Sequence, residues 1–361
     1  MNPEVVESLI EMYEEAFDRI FNRVTKNIAS GGYTKRDISL MKSINAEIMK
    51  LSQQNIAIAD QIVKPLYNKT REETANLLKD SFEVQGGFDR VHTEAINLTQ
   101  ASLVKDLTTK NLIVGKQIEK LLKTKGIKLS QQIQLGVLKK KEAIKEFVQE
   151  MGDQFHVTYK NGSKVHIKDY AKMSIRTTIN SSMARATINT NLEYGNDLVR
   201  MSWHSTSCPV CSPYQGKVYS INGDTKGYPL LSEINNGAVS TYGVTHPQCR
   251  HRFTPYVREL DDNAKKVQEF SNSGFDDNRT ETSKTRYDNR QKYNRYKRDM
   301  ARFKQEKDVL SKLPKTPERD REIESLNRKI KLRKNKIKHI KDWEVDNPKN
   351  DENLFTTIPP K

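Results

Sequence analysis

At 361 residues the chain is long enough for two domains or one elongated one, yet only 35% of its side chains are hydrophobic and 30% are charged. That balance argues against a compact enzyme of this size and for long, partly exposed helices around a limited core. A formal net charge of +16 favours a polyanionic neighbour, through attraction and counterion release.

No run reaches the length of a membrane span, and Glu4, Glu7 and Glu11 interrupt any apolar leader. A soluble protein made in a cytoplasm, with reduced cysteines, is therefore expected. Residues 1–29 read as an amphipathic helix, with Val6, Ile10, Tyr13, Phe17, Ile20 and Val24 at three- and four-residue steps. Gly31-Gly32 ends it, and Thr34-x-x-Asp37 resembles a capping box for the next helix. That helix carries Met41, Ile44, Ile48, Leu51 and Ile58 and runs towards Pro65. A third is expected from near Lys69 to Gly86-Gly87, with Glu72 and Glu73 in its first turn, where the helix dipole favours them. His92–Leu122 reads as one or two helices with Gly115 as a weak point, and Ser130–Met151 as a further helix with a lysine run at Lys139–Lys141. These stripes suit core or partner-facing surface, and none carries chemistry.

The pattern changes at Val157–Ile167, where Asn161-Gly162 between two alternating runs signals a β-hairpin. His156 and His166 read as ordinary strand residues. Asp169–Tyr194 is a helix. Leu198–Trp203, Val218–Ile221 and Arg252–Tyr256 are short strands, giving a small α+β unit.

All three cysteines lie in or beside this unit. Cys208-Pro-Val-Cys211 and His246-Pro-Gln-Cys249 are two short knuckles joined by a longer, Gly- and Asn-rich insert. Two residues between ligands let one tight turn aim both side chains at one point, and two such turns complete a tetrahedron around zinc. The spacing therefore predicts a structural Cys₃His site of Cys208, Cys211, His246 and Cys249. His204 and His251 flank it as alternatives to His246, which the knuckle spacing favours. A redox Cys-x-x-Cys needs no His-x-x-Cys partner, and an odd cysteine count argues against a disulfide framework. Four protein ligands would leave no open position for an activated water.

Ser271–Ser283 is polar and reads as a linker. Beyond it, Tyr293, Tyr296, Met300, Phe303 and Leu310 form one stripe, with Lys307 interrupting. Ile323, Leu326, Ile330, Ile337 and Ile340 form a second, with Arg333 interrupting. The proline-rich turn Leu313–Pro317 between them predicts an antiparallel helical hairpin. Its second arm is strongly basic, and Arg328, Lys329, Lys331, Arg333, Lys334, Lys336 and Lys338 are candidate nucleic-acid contacts beside the alternative of a solvated helix face. Beyond Asp342 the chain reads as a disordered tail, with Leu354-Phe355 as a docking element.

The expected fold is thus mainly α with a small α+β zinc-stapled domain, elongated N-terminal helices and a C-terminal helical hairpin. Its divisions are 1–152, 153–260, a linker at 261–283, the hairpin at 284–343 and a tail at 344–361.

The residues Cys208-Pro-Val-Cys211, Tyr214-Gln-Gly-Lys-Val-Tyr-Ser220 and His246-Pro-Gln-Cys-Arg-His251 together resemble the signature of the phage minor capsid protein 2 family. That family is similar to the wider group of Mu-type phage head morphogenesis proteins. Tyr170–Thr177, Arg185 and Glu193–Val199 extend the likeness upstream. The resemblance implies a non-enzymatic minor component of a tailed-phage head. It would sit in the virion near the portal, contact the portal or major capsid protein, lie close to packaged DNA, and be assembled in the host cytoplasm. Two other classes remain open from sequence. One is a zinc-stapled nuclease of the HNH type, with His246, Arg250 and His251 as candidates; it lacks a clear acidic pair for a catalytic metal. The other is a zinc-dependent DNA-binding regulator, which lacks a recognition helix after the knuckle.

Overall fold

The structure is a computed structural model that describes residues 3–29, 38–135, 147, 150–151, 154–159, 162–234, 246–247, 249–311 and 315–348. The predicted capping box at Thr34–Asp37, the lysine run at Lys139–Lys141 and the docking element Leu354-Phe355 lie outside them. By their contacts the residues divide into two compact units, Met1–Val199 with Tyr219–Asp262, and Arg200–Val218 with Asn263–Lys361.

In the first unit, the apolar stripes become helices α1 (Pro3–Ala29), α2 (Ile38–Leu78) and α3 (Asp89–Leu121). One core joins Tyr13, Phe17 and Ile20 of α1 to Ile44, Ile48 and Leu51 of α2 and to Leu103, Leu107 and Val114 of α3. The hydroxyl of Tyr13 is buried with it, donating to Asn55 Oδ1 at 2.5 Å and accepting from Asn111 Nδ2 at 3.2 Å.

Two sequence expectations change here. Pro65 neither ends α2 nor precedes a new helix at Lys69, because α2 runs through it to Leu78. Proline removes one N–H and crowds the preceding turn, but Ile62, Val63, Leu66 and Tyr67 are buried around it, and their packing outweighs the local cost. Gly115 is not a break either. A Cβ there would sit 3.4 Å from Ile48 Cγ1, so glycine allows close packing of α3 on α2. Past Leu121 the helix widens through a π-turn at Leu122–Gly126 and continues as α4 (Ile127–Gln134).

The expected hairpin forms as β1 (His156–Thr158) and β2 (Lys164–His166), antiparallel, with His156 opposite His166. Gly162, at φ +80°, supplies the left-handed residue of the turn. The chain then enters α5 (Ile167–Glu193), whose Ile167, Tyr170, Ile175 and Ile179 join the core. His166 is more than a strand residue. Its Nδ1 accepts the Lys168 N–H at 3.3 Å and caps α5.

A buried polar network ties α2, α3 and α5 together. Tyr67 Oη and His92 Nδ1 are 2.8 Å apart, His92 Nε2 lies 3.0 Å from Glu193, and Asn189 Nδ2 donates to Tyr67 Oη at 2.9 Å. Arg71 donates to the same Glu193 carboxylate at 2.6 Å. Because that carboxylate only accepts, His92 Nε2 carries the proton and Nδ1 accepts from Tyr67, so every group is satisfied with a neutral imidazole.

The three expected strands form as β3 (Leu198–Met201), β4 (Val218–Ser220) and β5 (Phe253–Pro255), in the order β4-β3-β5. In the second unit, the stretch read as a linker holds a helix, α6 (Ala264–Ser271), and hydrogen-bonded polar residues after it. The hairpin arms are α7 (Glu281–Ser311) and α8 (Pro317–Asp346). Thr316 caps α8 by accepting the Arg319 N–H at 3.2 Å, and Pro317 takes the first helical position, where its missing N–H costs nothing.

Candidate metal centre and basic hairpin

The Cys208–Cys211 knuckle belongs to a turn that leaves β3 and returns as β4. Gly216 N–H donates to Met201 O and Met201 N–H to Lys217 O, both at 2.9 Å, closing the base of the loop. Inside it, Cys208 O accepts from the N–H groups of Cys211 at 3.1 Å and Ser212 at 2.9 Å. This is the tight turn that the Cys-x-x-Cys spacing requires. A second turn follows, with Tyr214 and Gln215 donating to Cys211 O at 3.0 and 3.2 Å.

Side chains from the expected linker brace that loop. Gln215 donates to Asn278 Oδ1 at 3.0 Å, and Arg279 donates to Ser207 O at 3.4 Å. Arg279 also grips Asp277 at 2.9 and 2.7 Å, which holds that carboxyl well below the usual carboxylate range. Lys217 is buried, with its ammonium 5.2 Å from the ring centres of both Phe270 and Phe275, and donates to Gly274 O. Burial lowers its pKa, while the rings and the carbonyl offset part of that cost.

The His246–Cys249 knuckle sits in the first unit. Cys249 N–H donates to His246 O at 2.9 Å, the second tight turn that the spacing predicts. Asn180 of α5 donates to Cys249 O, and Tyr256 N–H to Leu198 O at 3.1 Å, which fixes both ends of the segment against α5 and β3. Cys249 and His251 are both buried, with Sγ and Nδ1 3.7 Å apart. His246 is half-buried, and its Nδ1 lies 2.8 Å from Pro247 O. A carbonyl only accepts, so that contact places the proton on Nδ1 and leaves Nε2 with the lone pair a metal needs.

Cys208 and Cys211 in the second unit, and His246, Cys249 and His251 in the first, are side chains of the kind that could bind a metal ion. Sulfur-rich donors of this kind suit zinc. His204, the other sequence alternative, is not among them. His251 stands beside Cys249 just before β5, and a two-residue separation is not a ligand spacing that sequence reading rewards.

In the hairpin, seven candidate cations separate into two kinds. Arg333 donates to Asp299 at 2.9 Å and lies 5.8 Å from the ring centres of both Tyr296 and Phe303. Lys329 sits over Phe303 at 5.6 Å and Lys336 over Tyr296 at 5.5 Å. Of these, Arg333 is half-buried in a hairpin whose buried residues include Phe303, Leu326 and Ile340, while Lys329 and Lys336 lie exposed over its rings. Arg328, Lys331, Lys334 and Lys338 are exposed on α8. Among the described residues, no helix is long and apolar enough to cross a membrane.

The family model for phage minor capsid protein 2 matches residues 3–341, nearly the whole chain. The chain belongs to that family. No curated protein and no solved structure matches it.

Proposed function

We propose that this phage minor capsid protein acts by binding, as a head component that docks on the portal or the inner capsid and lies close to packaged DNA. The observation that carries this reading is the family match over residues 3–341. The charge of +16 and the exposed cations of α8 support the DNA contact, which would be indifferent to sequence. Assembly would take place in the host cytoplasm, and the protein would lie inside the phage head.

In this account Cys208, Cys211, His246 and Cys249 hold one structural zinc ion, with His251 as the alternative fourth ligand. The two turn geometries, the Nδ1 contact of His246 and the thiolate-rich donor set support it. The ion would fix loop-rich segments that carry little core of their own. Its role is structural, since four protein ligands close the coordination sphere.

Cross-linking mass spectrometry on purified DNA-filled heads of the encoding phage tests the docking. Cross-links from this chain to portal or major capsid subunits are expected. Absence of the chain from purified heads would overturn the proposal.

A further inference from the structure

We infer that the groove between the two hairpin arms is a seat for the phosphate backbone of duplex DNA, a reading that rests on the DNA contact proposed above. Lys304 and Lys307 of α7 and Lys331 and Lys334 of α8 line this groove of about 380 Å³, together with Asp308 and Ile330. Four ammonium groups face one carboxylate there. Among the described residues none of the four lysines has a carboxylate within ion-pair distance, whereas Arg333, Arg302 and Arg319 of the same hairpin pair with Asp299, Glu306 and Asp320. These four lysines thus share one groove with a single carboxylate, Asp308, among its lining residues. Like charges gathered in this way repel, and a polyanion relieves the repulsion.

The spacing fits the ligand. Lys331, Lys334, Lys338 and Lys341 follow one another at three- and four-residue steps along one flank of α8, and all four are exposed. The row spans about 15 Å at 1.5 Å per residue, a length over which one strand of duplex presents about four phosphates. Lys329 and Lys336 lie on the other flank, over Phe303 and Tyr296. Lysines are flexible point charges that suit backbone contact without base reading. Lys304 and Lys307 are the addition that sequence periodicity could not supply, because they come from the opposite arm.

The test is fluorescence anisotropy of the full chain with a short labelled duplex across a salt series. The groove variant K304Q/K307Q/K331Q/K334Q is compared with K50Q/K64Q/K116Q/K128Q, which removes the same charge from exposed sites on α2, α3 and α4. The groove variant should lower the slope of log K against log salt by about three to four, while the control stays within about threefold of wild type. D308N, which removes the one carboxylate, should tighten binding and serves if the quadruple variant loses its helical signal. Equal losses in both quadruple variants, or no tightening by D308N, would overturn the groove and leave the DNA reading standing. A wild type that ignores duplex at low salt would overturn both. Capture of polyglutamate but not duplex would assign the groove to an acidic protein surface instead.

Discussion

His166 shows how one side chain couples local structure to pH. Its Nδ1 must be unprotonated to accept the Lys168 N–H, and burial, with Lys168 and His156 nearby, pushes its pKa down to about 3. In the unfolded chain the imidazole titrates near its ordinary value of 6.5. Between those values the unfolded state binds a proton that the folded state refuses. The stabilisation is complete above pH 6.5 and is lost as pH falls towards 3. His92 acts in the same direction, because burial and Arg71 oppose its charging more than Glu193 favours it. Denaturant midpoints should therefore be lower at pH 5 than at pH 7. His166→Asn, which keeps a capping acceptor without a titrating group, should flatten that dependence. The same slope in variant and wild type would remove His166 from the explanation.

Glu193 accepts from both Arg71 and His92, so truncating it leaves two donors without their partner. Glu193→Ala should cost about 2–3 kcal/mol, a figure held down because Arg71 is one-third exposed and can rehydrate. A loss below about 0.5 kcal/mol in urea unfolding would show that water replaces the carboxylate. None of this network was visible in the sequence, since its members are up to 122 residues apart and no periodicity marks them.

At the scale of elements, the helices were legible because buried residues repeat with helical spacing, as in Tyr13, Phe17, Ile20 and Val24. Pro65 was misread because a local rule was applied where tertiary packing decides. Pro65→Ala restores an N–H and relieves the preceding turn, so it should raise stability by about 1–3 kcal/mol. A lower melting temperature would mean that proline is required for the path of α2. Arg333 was read as an interruption of the second stripe, yet it is part of the seam, because its ring partners stand on the opposite arm. Arg333→Ala should weaken hydrogen-exchange protection across α7 and α8 by about 1–2 kcal/mol, while Lys338→Ala should change it by less than about 0.5 kcal/mol. Equal effects would contradict the division into seam and surface cations.

For the molecule as a whole, the local turns of the two knuckles were legible in the sequence. Ligand spacing is a local property, and both knuckles form the turns it predicts. The nearness of His251 to Cys249, with Sγ and Nδ1 3.7 Å apart, was not legible, because a two-residue separation carries no ligand signal. If the ion fixes residues 200–256, then Cys208→Ser or Cys249→Ser should make that segment protease-sensitive while the helical signal of residues 1–150 persists. Unchanged resistance in either variant would contradict a structural ion.

The central claim is a binding protein that carries a structural metal, and zinc analysis with a nuclease assay on one purified sample tests it most directly. One equivalent of zinc per chain and no cleavage of duplex or single-stranded DNA are expected. Cleavage that disappears in a His251→Ala variant which keeps its zinc would contradict it and make the chain an enzyme.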